Sequence, residues 1–71
     1  MIIPNATARA FNKAVSNPEN INQDGSINWN FVDADTYAVV QPTDSSLFYI
    51  HFNKLADDYC SANNIKEPVE V

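Results

Sequence analysis

The chain has 71 residues, 45 % hydrophobic and 18 % charged, which is the composition of one small globular domain and excludes a disordered segment. Nine acidic residues against four basic ones give a formal net charge of −5. This argues against direct binding to nucleic acid, because lysine and arginine make most phosphate contacts. An acidic domain is suited instead to a basic protein surface, although acidity also serves solubility alone.

The single cysteine and the N-terminal residues indicate a compartment. Cys60 has no second cysteine with which to form an internal disulfide, which favours a reducing compartment or stabilisation by self-association. Met1 to Pro4 is too short and uncharged for a secretory signal, and no later segment is long and apolar enough to span a membrane. We therefore expect a cytoplasmic protein with no membrane contact, folded as one domain over residues 1–71.

The first predicted element is a short helix. Asn5 is a suitable N-cap, and the residues from Ala6 to Val15 are rich in helix formers. Pro18 disfavours helical geometry at the preceding residue, so the helix should end near Ser16. Four apolar residues share one side at helical spacing: Ala10, Phe11, Ala14 and Val15.

The next segment, Ser26 to Phe52, is the most aromatic, and its pattern predicts strands. Ile27, Trp29 and Phe31 alternate with polar residues, which is typical of a strand with one buried face. A second strand is predicted from Thr36 to Gln41. The linking segments, 33–35 and 42–46, have turn compositions.

The segment Leu47 to Phe52 fits two structures. Six consecutive residues of high β-propensity after a turn favour a third strand, followed by a helix from Lys54 to about Ala62 capped by Asn53. Alternatively, one helix capped by Asp44 or Ser45 would run to Ala62 with a narrow apolar stripe of Phe48, Phe52, Leu55, Tyr59 and Ala62.

The strand interpretation predicts an α+β fold with an N-terminal helix, a three-stranded antiparallel meander and a C-terminal helix. A mostly α fold with a short hairpin is the alternative. Residues 65–71 are predicted to form an extended tail around Pro68.

A loop between the first helix and the aromatic segment has oxygen-bearing side chains at alternate positions, Asn20, Asn22 and Asp24, before Gly25. This resembles the first nine positions of an EF-hand or dockerin calcium loop. The position that should carry a bidentate acid is Phe31. The favoured interpretation is an Asx-rich turn whose side chains bond to their own backbone, and the three residues are weak metal candidates. No metal or cofactor is predicted.

Few residues suggest catalysis. Asp33 and Asp35 fall in a predicted turn without a neighbour that would tune either pKa. His51 and Cys60 could form a thiol–imidazole pair, but a lone cysteine among small residues in a helix is usually a small buried hydrophobe. With one glycine, the chain has no phosphate-binding loop. We therefore predict a protein that is not an enzyme.

The predicted binding residues follow from the meander. Two short helices cover only one face of a three-stranded sheet, so the other face should expose aromatic side chains ringed by acids. We predict that Trp29, Tyr37 and Tyr49 anchor a protein partner, and that Asp33 and Asp35 supply charge complementarity. The plain alternative is that a small domain simply exposes apolar atoms, as all proteins do.

The string from Gly25 to Asp35, GSINWNFVDAD, resembles segments of small uncharacterised proteins of marine bacteriophages, cyanophages in particular. The resemblance implies a protein of the host cytoplasm that binds and modulates a host enzyme or transcription component. It also implies an alternative, a small virion component or a self-associating structural protein. A weak calcium-binding module, from the loop described above, is the second alternative.

Overall fold

The structure is a computed structural model that describes residues 1–63, and the predicted tail over residues 65–71 lies outside them. The described residues form three α-helices: α1 at Asn5–Val15, α2 at Trp29–Val40 and α3 at Ser45–Ala62. A short 3₁₀ helix at Pro18–Asn20 follows α1. The predicted three-stranded meander is wrong, because the extended pairing in this part of the chain is one antiparallel bridge between Ile21 and Ile27. The mostly α alternative fits.

The helix α1 confirms the predicted N-terminal helix. Its buried face contains the four apolar residues of the sequence pattern, together with Thr7. Its start differs from the prediction, because Pro4 occupies the N-cap position and Asn5 is the first helical residue. Proline suits the start of a helix, where its missing N–H would have no intrahelical partner.

The helix α2 replaces the first two predicted strands and the turn predicted at Asp33–Asp35. The Asn28 side chain caps it by accepting a hydrogen bond of 3.2 Å from the Phe31 backbone N–H. Gln41 adopts a left-handed conformation with φ of 49° and ends the helix just before Pro42. Val32 and Thr36, one helical turn apart, face the core, and the Thr36 hydroxyl donates to the Val32 carbonyl at 2.7 Å.

The helix α3 is continuous, so the predicted strand Leu47–Phe52 and the predicted cap at Asn53 are both wrong. The Asp44 carboxylate accepts a hydrogen bond of 3.1 Å from the Leu47 N–H and starts the helix. Asn53 lies in the middle of α3. The side chains of α3 that are buried lie on one side of the helix: Phe48, His51, Phe52, Ala56 and Cys60. The burial of Cys60 confirms the prediction for this residue.

The core is centred on Phe11 of α1, which is 1 % exposed. Its ring lies 5.5 Å from Phe52, 6.2 Å from Tyr59 and 6.3 Å from Trp29, measured between centroids. The backbones of α1 and α2 approach closely. Those of α2 and α3 stay farther apart, because the rings of Tyr37 and Phe48 stand between them with centroids 5.1 Å apart. Within residues 1–63, the helices lack the combined length and apolar character needed to traverse a membrane.

Candidate functional site: the groove between α2 and α3

The separation of α2 from α3 leaves a groove at the surface, which we call the α2–α3 groove. It consists of two adjoining hollows of about 380 Å³ and about 270 Å³. Asp33 of α2 and Tyr49 of α3 line both hollows, so they mark the centre of the groove. The remaining lining residues are Asn30, Ala34, Tyr37 and Ala38 from α2 and Phe52 and Asn53 from α3.

Aromatic rings form the wall of the groove and hold one another in place. The rings of Tyr37 and Tyr49 are nearly parallel, with an interplanar angle of 27° and centroids 6.2 Å apart. Phe48 meets both rings edge to face, at 5.1 Å from Tyr37 and 5.0 Å from Tyr49. The Tyr37 hydroxyl lies 2.9 Å from the Ser45 hydroxyl, which fixes this ring against the first turn of α3. Tyr49 remains 37 % exposed and can contact another molecule.

Asp33 carries the unsatisfied polar atom of the groove. Its Oδ1 is buried and has no hydrogen-bond partner among residues 1–63. Burying a carboxylate oxygen without a partner is unfavourable, because the oxygen loses water and gains no donor. The ion pair found within residues 1–63 joins Lys54 to Asp58 on the exposed surface of α3, so Asp33 forms no ion pair with a basic side chain of these residues. Within the described part of the chain, the groove therefore contains a carboxylate that no lysine or arginine neutralises by an ion pair.

The electrostatic effect of Asp33 is visible at Tyr49. Burial of the Tyr49 hydroxyl raises its pKa above the usual 10.0, and the negative charge of the neighbouring Asp33 carboxylate raises the pKa further. Tyr49 is a neutral phenol at physiological pH, and it lines the same two hollows as the Asp33 carboxylate. A carboxylate beside aromatic faces is a combination that binds ammonium and guanidinium groups.

The structure brings together three of the five predicted anchor and charge residues, Asp33, Tyr37 and Tyr49. Trp29 lies elsewhere, because its ring packs against Phe11 and Tyr59 with both centroid distances at 6.3 Å. Asp35 lies on another side of α2, where its Oδ2 accepts a hydrogen bond of 2.9 Å from the Asn20 amide.

Sequence reasoning missed the two asparagines of the groove, Asn30 and Asn53. The alternating pattern predicts Asn30 on the polar side of a strand, and the third-strand interpretation makes Asn53 a helix cap. A helical interpretation starting from the Asn28 cap would have placed Asn30, Asp33 and Tyr37 on one side of α2. The signal was present as the spacing of three and four residues between them.

The loop with the weak metal candidates uses its side chains internally. Asn20 is buried and donates to the Ala14 carbonyl as well as to Asp35, with both distances at 2.9 Å. Asp24 Oδ1 accepts from the Ser26 N–H at 3.0 Å and from the Ser26 hydroxyl at 2.6 Å, and these hydrogen bonds lower the pKa of Asp24. These contacts describe an Asx-rich turn.

A second feature of this loop is its closure. The Asn22 amide donates to the Ser26 hydroxyl at 2.9 Å, and Gly25 adopts a positive φ of 89° that favours glycine. Among residues 1–63 no group of three or more His, Cys, Asp or Glu side chains is placed to hold a metal ion.

The thiol–imidazole pair is not assembled. His51 and Cys60 are both buried in α3, nine positions apart. At the rise of an α-helix this separation is roughly 13 Å along the axis, with the two side chains leaving the axis in opposite directions. They are too far apart for proton transfer between them.

No family model, curated protein or solved structure matches the chain.

Proposed function

We propose that the chain is a non-enzymatic protein-binding module whose α2–α3 groove receives a positively charged segment of a partner protein. The observation that carries the proposal is the Asp33 carboxylate, whose buried Oδ1 has no partner although it lies beside Tyr49 in an open groove. A cation from another molecule would supply the missing partner and remove the cost of this buried oxygen.

Charge complementarity selects a basic segment as the occupant. The formal net charge of −5 attracts positively charged segments at long range and raises their association rate. An acidic segment would be repelled by the same field, and Asp33 would oppose it again within the groove.

The surroundings of the groove suit a protein segment better than a small free cation. Phe31, which precedes the groove residue Ala34 by three positions on α2, is 54 % exposed, so apolar surface extends along α2 beyond the groove. Protein interfaces combine aromatic anchors with a polar rim, and the Asn30 and Asn53 amides provide such a rim.

The resemblance to marine phage proteins extends the proposal to the identity of the partner. A host enzyme or transcription component with an exposed basic segment would fit the groove, and binding would take place in the host cytoplasm. The loss of that host protein's activity on addition of the purified chain would test this extension.

The experiment for the proposal is a titration of isotopically labelled protein with a short lysine- and arginine-containing peptide, followed by the backbone amide resonances. We expect shifts at Asn30, Asp33, Tyr49 and Asn53, and weaker binding as salt is raised. A peptide of the same length with glutamate at the basic positions is the control and should leave the resonances in place. Shifts confined to α1, or no shifts, would contradict the proposal.

A second copy of the chain is the alternative occupant of the groove, and its binding must be distinguished from that of a basic peptide. Phe31 on α2 is 54 % exposed and offers apolar surface beside the groove that a second copy could cover. Sedimentation over a range of concentrations should show a monomer. A dimer whose formation shifts the groove amides without peptide would overturn the proposed basic partner.

A further inference from the structure

Resting on the proposed function, we infer that the group the α2–α3 groove recognises is an arginine side chain, with its guanidinium bound to Asp33 and stacked against Tyr49. The inference follows from the shape of the groove, the kinds of groups that line it and the position of the Asp33 carboxylate.

The groove has the size and the flat wall that a guanidinium needs. Its two hollows, about 270 Å³ and about 380 Å³, lie near the lower end of the range for ligand sites and are too small for a bulky structured element. Tyr49 lines both hollows and is 37 % exposed, so part of its surface is open to a planar group. Because Asp33 Oδ1 is buried, its contact with a guanidinium requires a small displacement of the partly exposed Tyr49 side chain.

The donors and acceptors also favour arginine. A guanidinium carries five N–H groups in a plane, enough for Asp33 and for the side-chain oxygens of Asn30 and Asn53 on either side of it. Lysine presents its charge at one point and binds water more strongly, so its transfer into a groove walled by tyrosines is more costly. Stacking on an aromatic face adds an attraction that is also better for arginine.

None of the three basic side chains within residues 1–63 lines the groove, and the inference therefore places the guanidinium on another molecule. Lys13 lies at a separate hollow that Asp35 also lines. Arg9 is exposed on α1 and does not line the groove, and Lys54 pairs with Asp58 on the exposed surface of α3. A second copy could present Arg9, and this is tested separately below.

The test compares three peptides that differ at one position. The parent is a short peptide of lysine and glycine with one central arginine, and its relatives carry lysine or citrulline there. Citrulline has nearly the shape of arginine without its charge. We expect the arginine peptide to bind about tenfold more tightly than the lysine peptide, and the citrulline peptide to bind weakest, in isothermal titration.

Variants of the protein identify the residues that are responsible for the preference for arginine. Asp33→Asn should weaken the arginine peptide by about tenfold or more and remove most of the preference for arginine. Glu19→Gln is the matched control, since it removes one negative charge from the exposed 3₁₀ helix outside the groove. It should lower the affinity of all three peptides slightly and equally. Tyr49→Leu removes the stacking surface and should reduce the arginine preference severalfold while Asp33 is retained.

The outcomes distinguish this inference from the proposed function. If basic peptides shift the groove amides but arginine and lysine bind equally, the arginine site is overturned and the protein-binding module stands. If no basic peptide binds, both fail. A dimer that Arg9→Gln abolishes would make a second copy the occupant and overturn the inference. Circular dichroism of each variant checks folding, and the three-peptide comparison on the unaltered protein decides the matter even if Asp33→Asn does not fold.

Discussion

Asp33 and Asp35 lie two positions apart on α2, but their carboxylates differ in hydrogen bonding. On the side toward α1, Asp35 accepts a hydrogen bond from Asn20, which in turn donates to the Ala14 carbonyl. On the side toward α3, Asp33 has a buried oxygen without a partner. A carboxylate that accepts a hydrogen bond from a buried side chain of the fold serves the structure, whereas a half-buried carboxylate with one buried oxygen unpaired beside an opening indicates a ligand site.

The aromatic residues on the two sides of α2 repeat this difference. Phe11 is sealed in the core, where it packs against Trp29, and is 1 % exposed. Tyr49 belongs to a ring cluster of similar size with Tyr37 and Phe48, but its surface is partly open. The difference in exposure between Phe11 and Tyr49 shows that a high density of aromatic residues does not by itself identify a binding surface. Whether a ring can bind another molecule depends on its position relative to the core.

The largest expected effect separates the two aromatic clusters. Phe11→Ala should lower the free energy of unfolding by about 3–5 kcal/mol, because it removes a buried ring and leaves a cavity among three other rings. Tyr49→Leu should cost about 1 kcal/mol, as expected for a partly exposed side chain. Urea denaturation followed by circular dichroism measures both. Equal losses would show that the groove side is as much part of the core as the α1 side.

A smaller loss of stability is expected at the polar contact on the α1 side. Asn20→Ala should lower the free energy of unfolding by about 1–3 kcal/mol, because it leaves the Ala14 carbonyl and Asp35 without their donor. Asn22→Ala is a matched control in the same loop, since the Asn22 side chain is exposed and bonds only to Ser26 in the described residues. It should change stability by about 0.5 kcal/mol or less. Thermal unfolding of both variants decides whether Asn20 connects the loop to α1 and α2.

The smallest expected effect is a shift in titration. Asp33→Asn should move the pKa of Tyr49 down toward 10.0 without reaching it, because burial of the hydroxyl is the larger cause and persists. Asp35→Asn should leave that pKa unchanged. Tyrosine ring carbon resonances followed against pH would resolve Tyr49 from Tyr37 and Tyr59. A shift of equal size in both variants would mean that overall charge, and not contact with Asp33, acts on Tyr49.

The raised pKa of Tyr49 also fixes the sign of a stability change at alkaline pH. Above about pH 10 the unfolded chain loses the tyrosine proton before the folded chain does, so the unfolded state binds fewer protons. The contribution of Tyr49 to stability is therefore fully present below about pH 10 and is lost as the pH rises through the folded pKa. Asp33→Asn should reduce the difference between the folded and unfolded pKa of Tyr49, and with it the pH range over which this contribution to stability is lost.

Part of the fold was predictable from local signals. The apolar spacing of α1 and the stop before Pro18 sufficed for the first helix, since they depend on neighbours along the chain. The strand predictions failed because Ile27, Trp29 and Phe31 alternate over too short a window to separate period two from period 3.6. The caps at Asn28 and Asp44 and the left-handed Gln41 favour two helices over three strands of high β-propensity.

The candidate site was predictable in part, and for a reason that proved wrong. The meander predicts Tyr37 and Tyr49 on the open face of a sheet and Asp33 in a turn near them, but the three residues meet because α2 and α3 are helices in which these positions face each other. Trp29 and Asp35 were selected by the same argument and are used within the fold.

By itself, the sequence determined the acidity of the protein, its first helix, the burial of Cys60 and the residue types available to a binding site, since these follow from composition and near neighbours. Only the tertiary structure decided that Asp35 and not Asp33 accepts a hydrogen bond from Asn20, and that Phe11 is buried while Tyr49 is partly exposed. Those outcomes depend on Asn20 reaching Asp35 and on Tyr37 and Phe48 holding α2 away from α3. Such contacts join residues distant in the chain, and no pattern of adjacent residues specifies them.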